Sequence, residues 1–163
     1  MKDVKTFESF SHNLAKHQTW PLKITNDAIE EMMCCSSHAL VFPILQILYP
    51  NLNYKTNTFH IDHIYPKSKF KKENNKLDKD FCENHLYNLQ LLEGAENQAK
   101  KDKDPEVWLK EEYKDNQQAI EEYKRKNYID PTLKLEWENI KDFREKREEA
   151  IIKTLKEVLL PKS

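Results

Sequence analysis

The sequence predicts an α+β domain that is mostly helical, with one small strand–loop–strand–helix unit packed among flanking helices. Two observations predict this fold class: the clearest strand alternation lies within residues 57–103, and helical apolar spacing dominates both flanks. The 163 residues suit one domain with a sizeable core. We therefore expect a single domain made of an N-terminal helical part (1–56), the central unit (57–103) and C-terminal helices (104–163).

Helices are predicted throughout the N-terminal part. The first is amphipathic, spans residues 4–20 and ends at Pro21. A second follows the capping residues that begin at Thr25 and runs to about Ser36. Residues 38–49 form the most apolar segment of the chain. This segment is predicted to be a buried helix against which the central unit packs.

The central unit opens with a predicted strand. Residues 59–63 alternate apolar and polar side chains, which is the period of a half-buried strand. His60 and Asp62 should therefore leave the same face of this strand. Pro66 ends the strand, and the polar run 69–84 is predicted to be an irregular loop.

A second strand, then a helix, closes the central unit. The leucine-rich run 89–92 predicts the strand, and the chain's single glycine, Gly94, follows at once. We expect this glycine to stand where the backbone turns tightly. The residues after it have helix-forming composition, which puts Asn97 in the first helical turn. Such a unit can bring Asp62 and His63 together with Asn97.

The C-terminal part begins with a strong helix-start signal, Asp104 followed by Pro105. One or two helices should run from there to about residue 126. Trp108 could stack on a nucleic-acid base, but an aromatic residue at helical spacing is more often part of a core. The last helix is predicted over about 135–160, with charged residues on its outer face.

The polar residues of the central unit suit one kind of chemistry. Mg²⁺ binds through one or two protein oxygens and keeps several waters, and Asp62 and Asn97 offer such oxygens. His63 can act as a general base near neutral pH because the imidazole pKa lies in that range. This combination predicts metal-dependent hydrolysis of a phosphodiester.

The central unit contains, in this order, Asp62-His63-Ile64, Pro66, Ser68, Asn88-Leu89, Asn97 and Lys100. This order resembles the signature of HNH nucleases, whose fold is the ββα-metal fold. The flanks, with Ile47-Leu48-Tyr49-Pro50 before the motif and Phe143, Arg147 and Ile151 after it, resemble the C-terminal HNH-type domain of GmrSD-like, modification-dependent restriction proteins. The resemblance covers roughly residues 38–160, and its specific part is the centre.

The resemblance implies a role for each motif residue. His63 takes the position of the catalytic general base, and Asn88 matches the middle letter of the motif, which holds the loop that carries this histidine. Asp62 and Asn97 match the metal ligands, and His60 is a candidate accessory ligand. The implied cofactor is Mg²⁺ or Mn²⁺. No zinc is expected, because the three cysteines form no Cys-x-x-Cys pair; we expect them to be ordinary buried thiols.

Lysines cluster on both sides of the motif, although the net charge of the chain is only −1. Six lysines lie between residues 67 and 79, and a second cluster follows Asn97. We expect these clusters to contact nucleic-acid phosphates, with four candidates: Lys67, Lys69, Lys100 and Lys101. For the first cluster, the alternative is a solvated loop whose lysines only keep it soluble.

These observations predict a metal-dependent DNA endonuclease that cuts or nicks through a water activated by histidine, within a restriction or anti-phage defence system. The alternative is an inactive DNA-docking or zinc-binding structural module of the same fold. The implied partners are DNA, including modified DNA, and a nucleotide-hydrolysing N-terminal domain of a longer parent protein or a separate subunit. With one glycine, this chain has no glycine-rich phosphate loop. A cytoplasmic location is expected, since the sequence has neither a membrane-span-length apolar run nor a signal-peptide pattern.

Overall fold

The computed structural model describes residues 24–73, 77 and 81–160, without the side chains of His38, Ala95, Asn97 and Gln98. The helix expected at 4–20 lies outside the described residues. In chain order the elements are α1 (Asn26–Met33), α2 (His38–Leu48), β1 (Phe59–His63), α3 (Lys67–Glu73), a 3₁₀ helix (Leu86–Asn88), β2 (Leu89–Glu93), α4 (Gly94–Lys100), α5 (Pro105–Glu112), α6 (Gln117–Lys126), a second 3₁₀ helix (Trp137–Asn139) and α7 (Ile140–Leu159). The α+β class predicted from the sequence is confirmed.

The two strands form an antiparallel pair that carries the motif. The register places Asp62 opposite Gln90 and His63 opposite Leu89. One further hydrogen bond, from the backbone N–H of Ile64 to the carbonyl oxygen of Asn88, is 2.8 Å long and extends the pairing past the strand end. α4 follows β2 directly and packs against both strands. The unit therefore forms a compact strand–strand–helix support for the motif residues.

Helices from both flanks enclose this unit. α7 packs against α1, α2 and the first 3₁₀ helix, so the C-terminal end of the chain covers the N-terminal part. Thr25 and Asp104 accept hydrogen bonds from the first backbone N–H groups of α1 and α5, which confirms both predicted helix starts. No helix in the described residues combines the length and apolarity that a bilayer span requires.

Three local predictions are wrong. The last helix begins at Ile140 rather than near residue 135, because a 3₁₀ turn precedes it. Cys34 is exposed, and the other two cysteines are only half-buried. The run 69–84 is not wholly irregular, since α3 occupies its beginning. Phe70 is buried there, and its ring centroid lies 5.2 Å from that of Trp137, so one apolar anchor holds α3 in place.

Gly94 lies where the chain passes from β2 directly into α4, with no residue between them, in line with the expected tight turn. Its φ is not positive, and it is the first residue of α4. A β-carbon added to it would meet Nε2 of His60 at 3.7 Å, which is an ordinary van der Waals contact. Neither backbone geometry nor close packing with described residues therefore requires glycine here.

We expect Gly94→Ala to leave the free energy of unfolding unchanged or to raise it by up to about 1 kcal/mol, because alanine loses less backbone entropy than glycine on entering a helix. Urea denaturation followed by circular dichroism measures this difference. A loss of more than about 1 kcal/mol would contradict the helical, uncrowded position of Gly94.

Candidate active site at the end of the first strand

His63 ends β1, and its half-buried imidazole is held from the loop before β2. Nε2 of His63 lies 3.0 Å from Oδ1 of Asn84. An amide oxygen can only accept a hydrogen bond, so this contact favours the tautomer with the proton on Nε2 and the lone pair on Nδ1. Burial lowers the pKa of His63, and the positive charge of Lys67 lowers it further; the hydrogen bond to Asn84 acts in the opposite direction. The ring is therefore neutral at pH 7.

Asn88 holds the backbone just after His63. It is fully buried, its Oδ1 accepts from the N–H of Tyr65 at 2.8 Å, and its Nδ2 donates to the carbonyl oxygen of Tyr65 at 3.0 Å. The same Nδ2 donates to the carbonyl oxygen of Glu83 at 3.0 Å, next to Asn84. One side chain thus joins the segment that carries the imidazole to the segment that orients it. This geometry is that of a positioning residue.

Asp62 is buried, and one of its carboxylate oxygens, Oδ2, contacts two partners. Nε2 of Gln90 donates to Oδ2 at 2.9 Å, and Nζ of Lys100 lies 3.1 Å from the same atom. Gln90 is itself held by the hydroxyl of Tyr123, which donates to Oε1 over 2.6 Å. Among the described residues, no hydrogen bond is made to Oδ1 of Asp62. The carboxylate is therefore fixed in place with one oxygen committed to protein partners.

The side chain of Lys100 is not on the surface, where it could contact a DNA phosphate. Its side chain is 1% exposed, and its ammonium donates to the carbonyl oxygen of His63 as well as pairing with Asp62. Burial lowers the pKa of Lys100, while the charge of Asp62 raises it. Lys100 was expected to contact a DNA phosphate; the structure shows that its side chain is buried and that its charge is paired inside the site.

The other basic candidates are closer to the surface. Lys67 and Lys101 are exposed, and Lys67 is near enough to His63 to lower its pKa. Lys69 is half-buried, with its ammonium 5.8 Å from the ring centroid of Trp137. Lys67 and Lys101 are thus the two candidates with an exposed side chain, and Lys67 is the one that acts on His63.

His60 and Asn97 are only partly placed. His60 is exposed on the face of β1 that it shares with Asp62, with its ring close to Gly94 at the start of α4. The backbone of Asn97 lies in α4, one turn before Lys100, and its side chain lies outside the described residues. No three histidine, cysteine, aspartate or glutamate side chains converge as a metal-binding group in the part of the chain that the structure describes.

Sequence reasoning missed three polar residues around the site: Asn84, Gln90 and Tyr123. A signal existed for Gln90, which interrupts a run of leucines in a strand that pairs with the strand of Asp62. Tyr123 falls in the helical segment predicted to end near residue 126, without a signal that links it to the site, and nothing in the sequence distinguishes Asn84 from other loop asparagines. The hydrogen-bond partners of these three residues are distant in the sequence, so only the tertiary fold shows them.

Arg147 of α7 stabilises the central strand–strand–helix unit through hydrogen bonds to its backbone. It is 1% exposed and donates to the carbonyl oxygens of Leu86, Tyr87 and Leu89, with distances of 3.1 Å to Leu86 and 2.8 Å to Leu89. Its Nε also donates to the carbonyl oxygen of Asn127 over 2.9 Å. A guanidinium suits this task, since its donors point in fixed directions within one plane. Arg147 therefore fixes the backbone on both sides of Asn88.

Comparison with known proteins identifies the family. The family model for the C-terminal domain of GmrSD restriction endonucleases matches residues 44–154, which is more than half of the 163-residue chain and includes both strands, α4 and Arg147. A search of curated proteins found no match. The matched span confirms the resemblance inferred from the motif order and the flanks. The chain belongs to the family of GmrSD restriction endonuclease C-terminal domains.

Proposed function

We propose that this chain is a metal-dependent DNA endonuclease of the HNH type, in which His63 is the general base. Membership in a restriction endonuclease family supports a nuclease role in restriction and DNA as the substrate. The observation that carries the finer proposal is the adjacent pair of a fixed Asp62 carboxylate and a half-buried, neutral His63 imidazole. Both are held by side-chain hydrogen bonds.

His63 supplies the proton acceptor. With Nε2 bonded to Asn84, Nδ1 carries the lone pair and can take a proton from a water that attacks phosphorus. Asn88 keeps the backbone after the ring in place, so the imidazole does not have to be ordered during the reaction. Removing this proton makes the water a stronger nucleophile without a covalent intermediate on the protein.

The donor chemistry fits a hard divalent cation such as Mg²⁺ or Mn²⁺. Asp62 offers a carboxylate whose Oδ1 has no hydrogen bond to described residues, and Asn97 supplies an amide oxygen in the family motif. Asp62 and Asn97 would hold the ion, with His60 as a possible accessory ligand on the same strand face. When bound, such an ion supplies charge neutralisation at the leaving oxygen.

The exposed charges of Lys67, near His63, and of Lys101, next to Lys100 in the sequence, suggest where the DNA lies. Lys67 and Lys101 would contact phosphates on either side of the scissile bond and hold the backbone against the site. Such contacts carry no base specificity, so they serve cleavage of many sequences. A preference for modified DNA is part of this proposal only because the family resemblance implies it. The same holds for a nucleotide-hydrolysing partner.

Nicking of supercoiled plasmid tests the proposal directly. The purified chain is incubated with Mg²⁺ or Mn²⁺, with EDTA in a parallel series, and the His63→Ala variant is treated identically. We expect metal-dependent conversion to the nicked or linear form by the wild type only. Cleavage that never appears in any metal, or that survives loss of the imidazole, would overturn the proposal.

The pH dependence of cleavage follows from the environment of His63. Burial lowers its pKa below the usual 6.5, so the neutral form that accepts a proton persists at lower pH than for a free imidazole. We expect the acidic limb of the rate at limiting substrate to be centred below the usual imidazole value of 6.5. A pH profile of kcat/KM measures this; an acidic limb centred above the usual imidazole value would contradict it.

A further inference from the structure

The positive charge of Lys100 lies beside the carboxylate at which the metal is proposed to bind. Its ammonium is 3.1 Å from Oδ2 of Asp62 and donates to the carbonyl oxygen of His63. The ring of Trp108 lies on another side, with its centroid 5.9 Å from Nζ, and the side chain is 1% exposed. Asp62 therefore has a buried positive partner before any metal ion arrives.

The charges of the site leave little attraction for a free cation. The charges of Asp62 and Lys100 offset each other across 3.1 Å, and Asn97 carries no charge. A divalent ion bound at Asp62 would also lie close to the ammonium, and like charges repel strongly where water is excluded. A DNA phosphate that enters the site would supply the negative charge that such an ion lacks.

Rotation of the Asp62 carboxylate cannot separate it from the ammonium of Lys100. Gln90 donates to Oδ2 over 2.9 Å from the neighbouring strand, and Tyr123 donates to Gln90 over 2.6 Å. These three side chains are buried, so the position of Asp62 is set by the core. A metal ion that binds Asp62 must therefore share it with Lys100.

We propose that Lys100 is a resident counter-ion of Asp62 that keeps divalent-metal affinity low until a DNA phosphate enters the site. This inference rests on the proposed nuclease function and gives Lys100 a role inside the metal site, in place of a surface contact with DNA. Metal and DNA then bind cooperatively, since each supplies charge that the other needs.

Binding of Mn²⁺, measured from the paramagnetic resonance signal of the free ion, tests this without any cleavage assay. All chains carry His63→Ala so that DNA stays intact, and titrations are made with and without a short duplex. Lys100→Met removes the charge and keeps an unbranched side chain. Lys110→Met removes an exposed charge from α5, outside the proposed DNA contacts, and is the matched control.

Without DNA, we expect Lys100→Met to bind Mn²⁺ at least about tenfold more tightly than the Lys100 parent, and Lys110→Met to stay within about threefold of it. The duplex should tighten Mn²⁺ binding to the parent about tenfold or more, and this gain should shrink in Lys100→Met. If Lys100→Met does not fold, Lys100→Gln, which keeps an N–H donor towards Asp62, takes its place in the same comparison.

The outcomes separate this inference from the function on which it rests. Mn²⁺ binding by the parent that neither Lys100→Met nor Lys100→Gln tightens overturns the counter-ion role and leaves the nuclease proposal intact. An equal gain on Lys110→Met also overturns it, because the effect would then be one of general surface charge. Absence of Mn²⁺ binding in every chain, with and without duplex, removes the metal site and both proposals.

Discussion

Replacement of His63 by alanine is expected to lower the rate of plasmid cleavage by about 10²–10⁴-fold, the usual contribution of a general base. The ring is neutral at pH 7, and its Nε2 is held by Asn84, so it is ready to accept a proton at Nδ1. Alanine removes that acceptor while leaving the Asn88 bonds to the backbone of Tyr65 intact. Single-turnover cleavage at saturating Mg²⁺ measures the loss.

Two controls separate lost chemistry from lost structure. The thermal midpoint of His63→Ala should lie close to that of the wild type, because only a half-buried side chain is removed. His85→Ala removes a second histidine from the same loop region, where its ring centroid lies 6.3 Å from that of Tyr87. We expect this control to cleave within a few-fold of the wild type; a loss as large as that of His63→Ala would show that disturbance of the loop, not the base, accounts for the effect.

Arg147→Lys is expected to lower the free energy of unfolding by about 3 kcal/mol or more, although the charge is kept. Arginine donates to four buried carbonyl oxygens, and lysine, with one ammonium on a flexible stem, cannot reach all of them at once. Buried acceptors then lose their partners. With a slope of about 1–3 kcal/mol per molar urea, the urea midpoint should fall by about 1–3 M.

Arg144→Lys is the matched control on the same helix. Arg144 is partly exposed, its Nε bonds Glu148 over 2.9 Å and its guanidinium lies over the ring of Tyr87. We expect this substitution to cost about 1 kcal/mol or less, as is usual for an exposed pair. Equal losses at Arg144 and Arg147 would mean that the fourfold carbonyl contact contributes little.

The local features of the site region could be predicted from sequence because they depend on neighbouring residues. Alternation in 59–63 and the leucines of 89–92 predicted both strands, and the Asp104-Pro105 signal predicted the start of α5. The order of motif residues also identified the family, because a family signature is a property of the sequence itself.

The failures have physical causes. α3 was not predicted because its packing relies on Phe70 alone, and a single buried residue in seven gives no helical periodicity. Gly94 lies at the direct junction of β2 and α4 as expected, but neither its φ nor its packing requires glycine there. Lys100 was assigned to the surface because lysine is seldom buried, and the exception depends on a carboxylate partner far away in sequence.

The sequence by itself determined the fold class, the two strands, the helix after them and the order of the motif residues, since each is encoded in short-range periodicity or spacing. The tertiary structure alone decided that Lys100 faces Asp62, that Gln90 and Tyr123 fix that carboxylate, and that Arg147 holds the backbone around Asn88. The reason is burial: a polar group removed from water must find a partner, and packing of distant segments selects which one.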